Sequence, residues 1–291
     1  MDTTTLYSPR DVGFSNEKHI IDRCQVALLR AISQEAGARL VVKGGMAMRV
    51  AFGSMRLTKD IDFDRAANMS ANAVKGLLRR GMLVAAQVAG IREVAIDVTK
   101  DTETTIRVRM SGKTHDGIAV RFETEVSGRQ EPAAEELQRR KVVPPPAYLL
   151  SPFELQTYSL SAMAASKVKA VLADLRNVPR DVADLKVLIA YGANPVPLLA
   201  QESQERLGEL RRDVLGKLAL ITYEMAQTEL FPYLPPAESA GMTKAQWEDD
   251  VLQISSTVDQ WLGQALGRHD IAPGDSVEPA APRARPRVRP S

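Results

Sequence analysis

Apolar residues recur at spacings of three and four through Ile20, Ile21, Cys24, Ala27, Leu28, Ala31 and Ile32, one stripe of a helix that Ser15 can cap and Gly37 can end. Leu40, Val41 and Val42 are consecutive and apolar, which predicts a strand over Arg39 to Lys43 covered on both faces, broken by Gly44 and Gly45. Met46 to Phe52 is short and helical in character, and Gly53 closes it. From Lys59 to Asp64 the pattern alternates: Ile61 and Phe63 share one face, Asp60, Asp62 and Asp64 the other. A helix is predicted from Ser70 towards Gly81 or beyond. Three extended segments follow, Arg92 to Thr99, Thr104 to Met110 and Gly117 to Val126, each alternating or rich in β-branched residues.

Between Ser127 and Ser151 charges and prolines take over, with Pro144, Pro145 and Pro146 in a row, a composition that suits a connector rather than a core element. Beyond it the pattern is helical over Ser161 to Leu175, Arg180 to Tyr191, Val196 to Leu230, and Thr243 to Leu266, where Thr243 and Gln246 have capping-box spacing. The expected architecture is α/β: a mixed-sheet N-terminal domain over 1–128, a connector over 129–150, a helical C-terminal domain over 151–271, and a disordered basic tail over 272–291 carrying Arg283, Arg285, Arg287 and Arg289.

The bulk composition narrows this little. The chain has 291 residues, 44% hydrophobic and 25% charged, enough to bury a core, and its net charge of +2 does not by itself mark a nucleic-acid binder. A single cysteine, Cys24, excludes an intrachain disulfide framework and a cysteine-based zinc site. The N-terminus lacks a basic segment followed by an apolar run, and no stretch of about 18 apolar residues could span a bilayer. A cytoplasmic location is expected, with no membrane partner.

The chemistry concentrates between Lys43 and Asp64. Side chains at i and i+2 of a strand share a face, so Asp60 and Asp62 can converge on one or two Mg²⁺ ions, and Asp64 extends that face. Three acids in such a row repel one another unless solvent or a cation neutralises them. Gly44-Gly45, directly after a strand and before a helix, lets backbone amides approach phosphate oxygens with no Cβ in the way. Either half alone also reads as structure: an alternating edge strand, or a tight turn. Their joint occurrence within about twenty residues points to handling of a polyphosphate beside divalent metal.

Lys43-Gly-Gly-Met-Ala-Met-Arg49 followed by Arg56-Leu-Thr-Lys-Asp60-Ile-Asp62-Phe-Asp64 resembles the AbiEii/AbiGii-type nucleotidyltransferase toxins of the polymerase-beta-like superfamily. The resemblance implies a nucleotidyltransferase fold and transfer of a nucleoside monophosphate from an NTP co-substrate, dependent on Mg²⁺ (or Mn²⁺). It implies that Gly44 and Gly45 bind the triphosphate and that Asp60 and Asp62 bind metal. A third acid is expected on a later strand, and Glu125, chosen over Glu123, is assigned as general base or metal contact. Ser166-Lys167 and Arg180-Asp181-Val-Ala-Asp184-Leu are similar to the family's lysine helix and its following acidic segment, which places Lys167 on the triphosphate. Asp181 and Asp184 share a helix face; one could orient Lys167, or Arg180 and Asp181 could serve helix capping and domain docking.

The sequence departs from the pattern at Met46, where a serine or threonine usually follows the glycine pair. Phosphate contact could then pass to Lys43, Arg49 or Arg56, and Thr58 keeps a hydroxyl near the metal strand. The implied role is the toxin of a toxin–antitoxin pair, with an RNA acceptor, a tRNA end first among them, and a cognate antitoxin as partner. Basic residues at Lys75, Arg79 and Arg80, at Arg139, Arg140 and Lys141, and in the arginine tail agree with an RNA partner, though such runs also form solvated faces. Two other readings stay open: a small-molecule or protein acceptor, with Glu131, Glu135 and Glu136 as an acidic cluster near an aminoglycoside, or an inactive relative that binds nucleotide or RNA.

Overall fold

The computed structural model describes residues 2–129, 131–173 and 177–269. Strand β1 (Asp2–Thr5) precedes helix α1 (Asn16–Ala36), whose N-terminus is capped by Ser15, accepting from the Lys18 N–H, and whose C-terminus meets Gly37. Strand β2 (Leu40–Lys43) runs into α2 (Gly44–Phe52), and β3 (Asp60–Arg65) follows. Ser70 caps α3 (Ala71–Ala89), which continues through Gly81, a close contact with α1: a Cβ there would lie 2.8 Å from Leu28 Cδ1.

Strands β4 (Arg92–Asp101), β5 (Thr105–Lys113) and β6 (Ala119–Ser127) take the three extended segments. Three strands fall where the sequence predicts none: β1 at the N-terminus, β7 (Leu137–Val143) in the expected connector, and β8 (Phe153–Tyr158) at the start of the expected helical domain. The connector reading is corrected accordingly. In β7 only Val142 is fully buried; Arg139 and Lys141 are exposed and Arg140 is largely covered, so composition hides a strand held by neighbours on both sides. The Pro144–Pro146 run makes only the turn between β7 and β8.

All eight strands among the described residues form one mixed sheet in the order β1-β7-β8-β2-β3-β6-β5-β4. Its central strand β3 is antiparallel to β2 and parallel to β6, with Asp60 opposite Glu123 and Asp62 opposite Glu125. One face buries Ile61, Phe63, Ile106, Val108, Met110, Phe122 and Val126, and α1 and α3 pack on this part of the sheet. Each such side chain contributes about 1.5–3 kcal/mol by leaving water. Strict alternation then forces Asp60, Asp62, Glu123, Glu125, Arg107 and Arg109 onto the opposite face.

The helical part comprises α4 (Leu160–Val171), α5 (Pro179–Ala190), α6 (Val196–Leu199), α7 (Gln204–Arg211), α8 (Val214–Ala219), α9 (Tyr223–Glu229), α10 (Pro236–Gly241) and α11 (Lys244–His269). The segment 196–230, expected as one helix, is four short ones. Ser203, Asp213 and Thr222 each cap a new start with the side chain, which competes with helix continuation. Thr243 and Gln246 exchange the reciprocal bonds of a capping box at the start of α11. Helix α4 packs on α5, and α5 touches α2, which brings the helical part against the glycine turn. The arginine-bearing tail 272–291 lies outside the described residues.

Candidate active site

The glycine turn and the acidic strand are in direct contact. Gly44 has φ +64°, and a Cβ on it would lie 2.8 Å from Asp62 Oδ2. At Gly45 a Cβ would lie 2.8 Å from both Arg56 Nη2 and Thr58 Oγ1. The two glycines therefore let the first turn of α2 close over the acidic strand on one side and over Arg56 and Thr58 on the other. Lys43, the N-cap of α2, makes no side-chain cap. Met46 is fully buried, so its side chain fills the core and faces no phosphate. Thr58 donates its hydroxyl to the Asp60 carbonyl at 3.1 Å, and Gln25 reaches from α1 to the carbonyls of Thr58 and Lys59 at 3.3 and 3.2 Å, fixing the entry to β3.

Along β3 the three aspartates have different surroundings. Asp64 accepts from Lys43 Nζ at 2.6 Å and from the Tyr158 hydroxyl at 2.7 Å, so it holds Lys43 rather than standing free in the row. Asp62 has its carboxyl raised above the usual range, first by burial and then by Asp60 and Glu125, against the lowering pull of Lys43 and Lys167. Asp60 is raised by burial and by Glu123, against Lys59 and Arg180. Both are acids short of compensating positive charge.

On β6, Glu125 is held by Arg107 at 2.5 Å and Glu123 by Arg109 at 2.6 Å, each arginine directly across from its partner on β5. Among the described residues no group of three or more His, Cys, Asp or Glu side chains is gathered so as to hold a metal ion. What remains for a cation is the Asp60 and Asp62 pair. Its hard oxygens and unbalanced negative charge fit Mg²⁺, which takes one or two carboxylates and completes its shell with phosphate oxygens and water.

The far wall is an ion-pair network. Lys167 on α4 lies between Asp181 at 2.7 Å and Asp184 at 2.6 Å on α5. Arg56 grips Asp184 through Nη2 at 2.9 and 3.0 Å and Nε at 3.1 Å. Burial pushes the Lys167 ammonium down, but Asp184 and Asp181 outweigh it and hold the group above its ordinary range. Burial likewise pushes Asp184 up, and Arg56 and Lys167 outweigh that, holding it below the usual carboxylate range. Both acids therefore contact Lys167, and Asp184 also ties α5 to Arg56.

The structure thus brings together Lys43, Gly44, Gly45, Arg56, Thr58, Asp60, Asp62, Glu125, Lys167, Asp181 and Asp184. It does not bring Arg49. That side chain is fully buried, bonded to Asp22 at 2.6 and 2.7 Å and to the Tyr7 carbonyl, with Tyr148 also donating to Asp22. Helical spacing from the glycine pair turns Arg49 into the core, and the expectation that it binds nucleotide is corrected. Reading the sequence misses Tyr158, Arg107 and Arg109. The alternation Thr-Ile-Arg-Val-Arg-Met of β5 carries a signal for the two arginines; nothing local marks Tyr158.

Solved structures share this arrangement of elements. JHP933 from Helicobacter pylori superposes with a TM-score of 0.59 at 16% identity, covering 89% of this chain and 98% of the other. A candidate nucleotidyltransferase from H. pylori gives 0.55 at 17%, over 86% and 98%. MenT4, a nucleotidyltransferase toxin from Mycobacterium tuberculosis, gives 0.49 at 17%, over 90% and 97%. The two H. pylori likenesses, at these identities, speak for the fold alone. No curated protein matches the chain at a significant level. The family model described as nucleotidyl transferase AbiEii toxin, type IV toxin–antitoxin system, matches residues 27–264, a span that holds the glycine turn, the acidic strand and the lysine helix, and the chain belongs to that family of nucleotidyltransferase toxins.

Proposed function

We propose that the protein moves a nucleoside monophosphate from an NTP to an RNA acceptor, a tRNA end foremost, and that this transfer is its toxic activity, restrained by a cognate antitoxin. The observation that supports this most is the register of β3 on β6, which sets Asp60 and Asp62 beside Glu123 and Glu125 directly in front of the Gly44-Gly45 turn. The same row supports a requirement for Mg²⁺.

In this reading the N-terminus of α2 and Lys43 take the triphosphate, with Lys167 meeting it from the opposite wall. Arg56 and Thr58 line the turn behind the nucleotide. Asp60 and Asp62 would hold the divalent cation, which when bound offsets charge on the phosphates. An acceptor hydroxyl oxygen bonds to the α-phosphorus, the α–β phosphoanhydride breaks, and pyrophosphate leaves. The hydroxyl proton passes to Glu125 through Oε1, since Oε2 is taken by Arg107. Asp181 and Asp184 keep Lys167 charged and directed into the cleft.

Incubation with Mg²⁺, each labelled NTP separately, and total tRNA tests the reading. Label on tRNA supports it. Label on an added aminoglycoside or on protein, with none on tRNA, supports the other acceptor, and tight NTP binding without transfer would identify a binding module.

A further inference from the structure

Two of the basic runs visible in the sequence are partly committed to ion pairs and stand away from the carboxylate row. Lys75 pairs with Asp101 at 2.8 Å and Arg80 pairs with Glu35, both on α3, which packs on the apolar side of the sheet. Arg140 pairs with Asp2 at 3.1 Å, and its strand β7 is three places from β3 in the sheet. Arg107 and Arg109 belong to no such run. They rise from β5 on the open face, one strand beyond Glu123 and Glu125 and two beyond Asp60 and Asp62. Arg107 spends Nε and Nη2 on Glu125, at 3.0 and 2.5 Å, and Arg109 spends Nε and Nη2 on Glu123, at 2.8 and 2.6 Å. Nη1 of each makes no hydrogen bond among the described residues, and the side chains are 41% and 33% exposed.

We propose that Arg107 and Arg109 form a docking strip for the phosphodiester groups of the acceptor strand, leading its reacting end across β5 onto the carboxylate row. The proposal rests on the RNA-acceptor reading above. A guanidinium already bidentate to a carboxylate keeps an outer edge of donors for a second anion, as a planar fork allows and an ammonium does not. The charge balance adds a condition. Arg107 and Arg109 offset Glu125 and Glu123, while Asp60 and Asp62 lack such partners, so the row repels a polyanion; once a divalent cation offsets the two aspartates that repulsion is removed, and the outer guanidinium donors are free to meet a passing strand. Cation and acceptor therefore bind with positive coupling, and the coupling is reciprocal.

The test uses the full chain and labelled total tRNA. Fluorescence anisotropy, without NTP, compares EDTA with Mg²⁺; steady-state transfer gives KM for RNA and for NTP separately; Mn²⁺ titration followed by electron paramagnetic resonance reads the cation site directly. The wild type is expected to bind tRNA about tenfold tighter with Mg²⁺. In the double variant Arg107→Gln/Arg109→Gln that gain is lost, and KM for RNA rises at least about tenfold. The slope of log affinity against log salt falls by about 1 per arginine. KM for NTP and Mn²⁺ binding are not weakened, which separates the effect from misfolding. Arg107→Lys/Arg109→Lys restores part of the loss by returning charge without the fork. Arg139→Gln on β7 leaves RNA binding unchanged. A rise in KM for NTP with RNA binding intact places the arginines on the triphosphate and overturns the proposal, as does an unimpaired double variant of an enzyme that labels tRNA. A wild type that labels no RNA overturns the acceptor reading and this strip with it.

Discussion

Asp62 and Glu125 stand directly opposite one another on adjacent parallel strands, but only Glu125 is held by a cation, Arg107; the Lys43 and Lys167 charges that reach Asp62 are themselves paired with Asp64 and with Asp181 and Asp184. The sheet's core face cannot release this arrangement, because shifting either strand by one residue would bury carboxylates and expose Ile61, Phe63, Phe122 and Val126. Negative charge is concentrated at the cost of stability. Asp62→Asn and Asp60→Asn should therefore each abolish transfer, by on the order of 10³-fold or more, as expected for loss of a group acting on charge in the transition state. Neither should lower the melting temperature at pH 7. A variant that melts well below the wild type, or one that keeps transfer, would count against the assignment.

Gly44 combines positive φ with contact, so its replacement tests the turn twice over. Gly44→Ala forces an L-residue into the left-handed region, costing about 1 kcal/mol or more. It also puts a methyl 2.8 Å from Asp62 Oδ2. NTP affinity, measured by isothermal titration, should fall with the cation site disturbed. Gly53→Ala, also at positive φ (+63°) but away from the acids, with only the Tyr191 hydroxyl at 3.6 Å, should carry the backbone cost alone.

Met46 and Arg49 lie in the same helix as the glycines, yet both belong to the core. Met46→Ser, which restores the hydroxyl usual after the glycine pair, should gain no nucleotide affinity and should lose about 2–5 kcal/mol by emptying a buried site. Arg49→Ala should cost about 3–5 kcal/mol by stranding the Asp22 carboxylate. KM for NTP in the folded fraction should stay within about twofold of wild type, a margin worth no more than ~0.4 kcal/mol. Denaturant melts and initial rates on the same preparations separate these outcomes from a direct role in the site.

How far the sequence carries depends on how local each signal is. Strand β3, its alternating acids, the glycine turn and the caps at Ser15, Ser70 and Thr243 are legible because each is written within a few residues. Arg56 and Asp184 are 128 positions apart, and no local pattern announces that pair; only the resemblance put Lys167 and Asp184 near the turn. The strands β7 and β8 escaped for the same reason. Their residues pair with β1 and β2, and a run such as Arg139-Arg140-Lys141 reads as solvated charge until a neighbouring strand is placed beside it. Arg49 was misplaced because a basic residue after a phosphate turn looks functional, whereas the helix's rotation decides where it points.

The Arg56, Asp184 and Lys167 network yields a prediction whose sign can be worked through. Asp184 is almost wholly buried; burial alone would raise its pKa, but Arg56 and Lys167 outweigh it, so the folded-state value lies below the ordinary 3.8. A depressed carboxyl contributes stability above its unfolded value and loses it as pH falls through the folded value. Lys167 is the reverse case: its folded value lies above the ordinary 10.5, so its contribution is complete below 10.5 and is lost only as pH rises through that higher value. Between roughly pH 5 and 9 both groups stay charged and the network is intact. Asp184→Asn should therefore destabilise the protein by about 3–5 kcal/mol throughout that window, because it leaves two buried cations with Asp181 as the remaining carboxylate. The difference from wild type should close as the pH falls from 3.8 through the lower folded-state value, where the wild-type carboxyl also protonates. Urea titrations at a series of pH values measure this directly. A difference that persists unchanged to the acid limit would mean that the aspartate acts through packing and hydrogen bonds rather than through its charge.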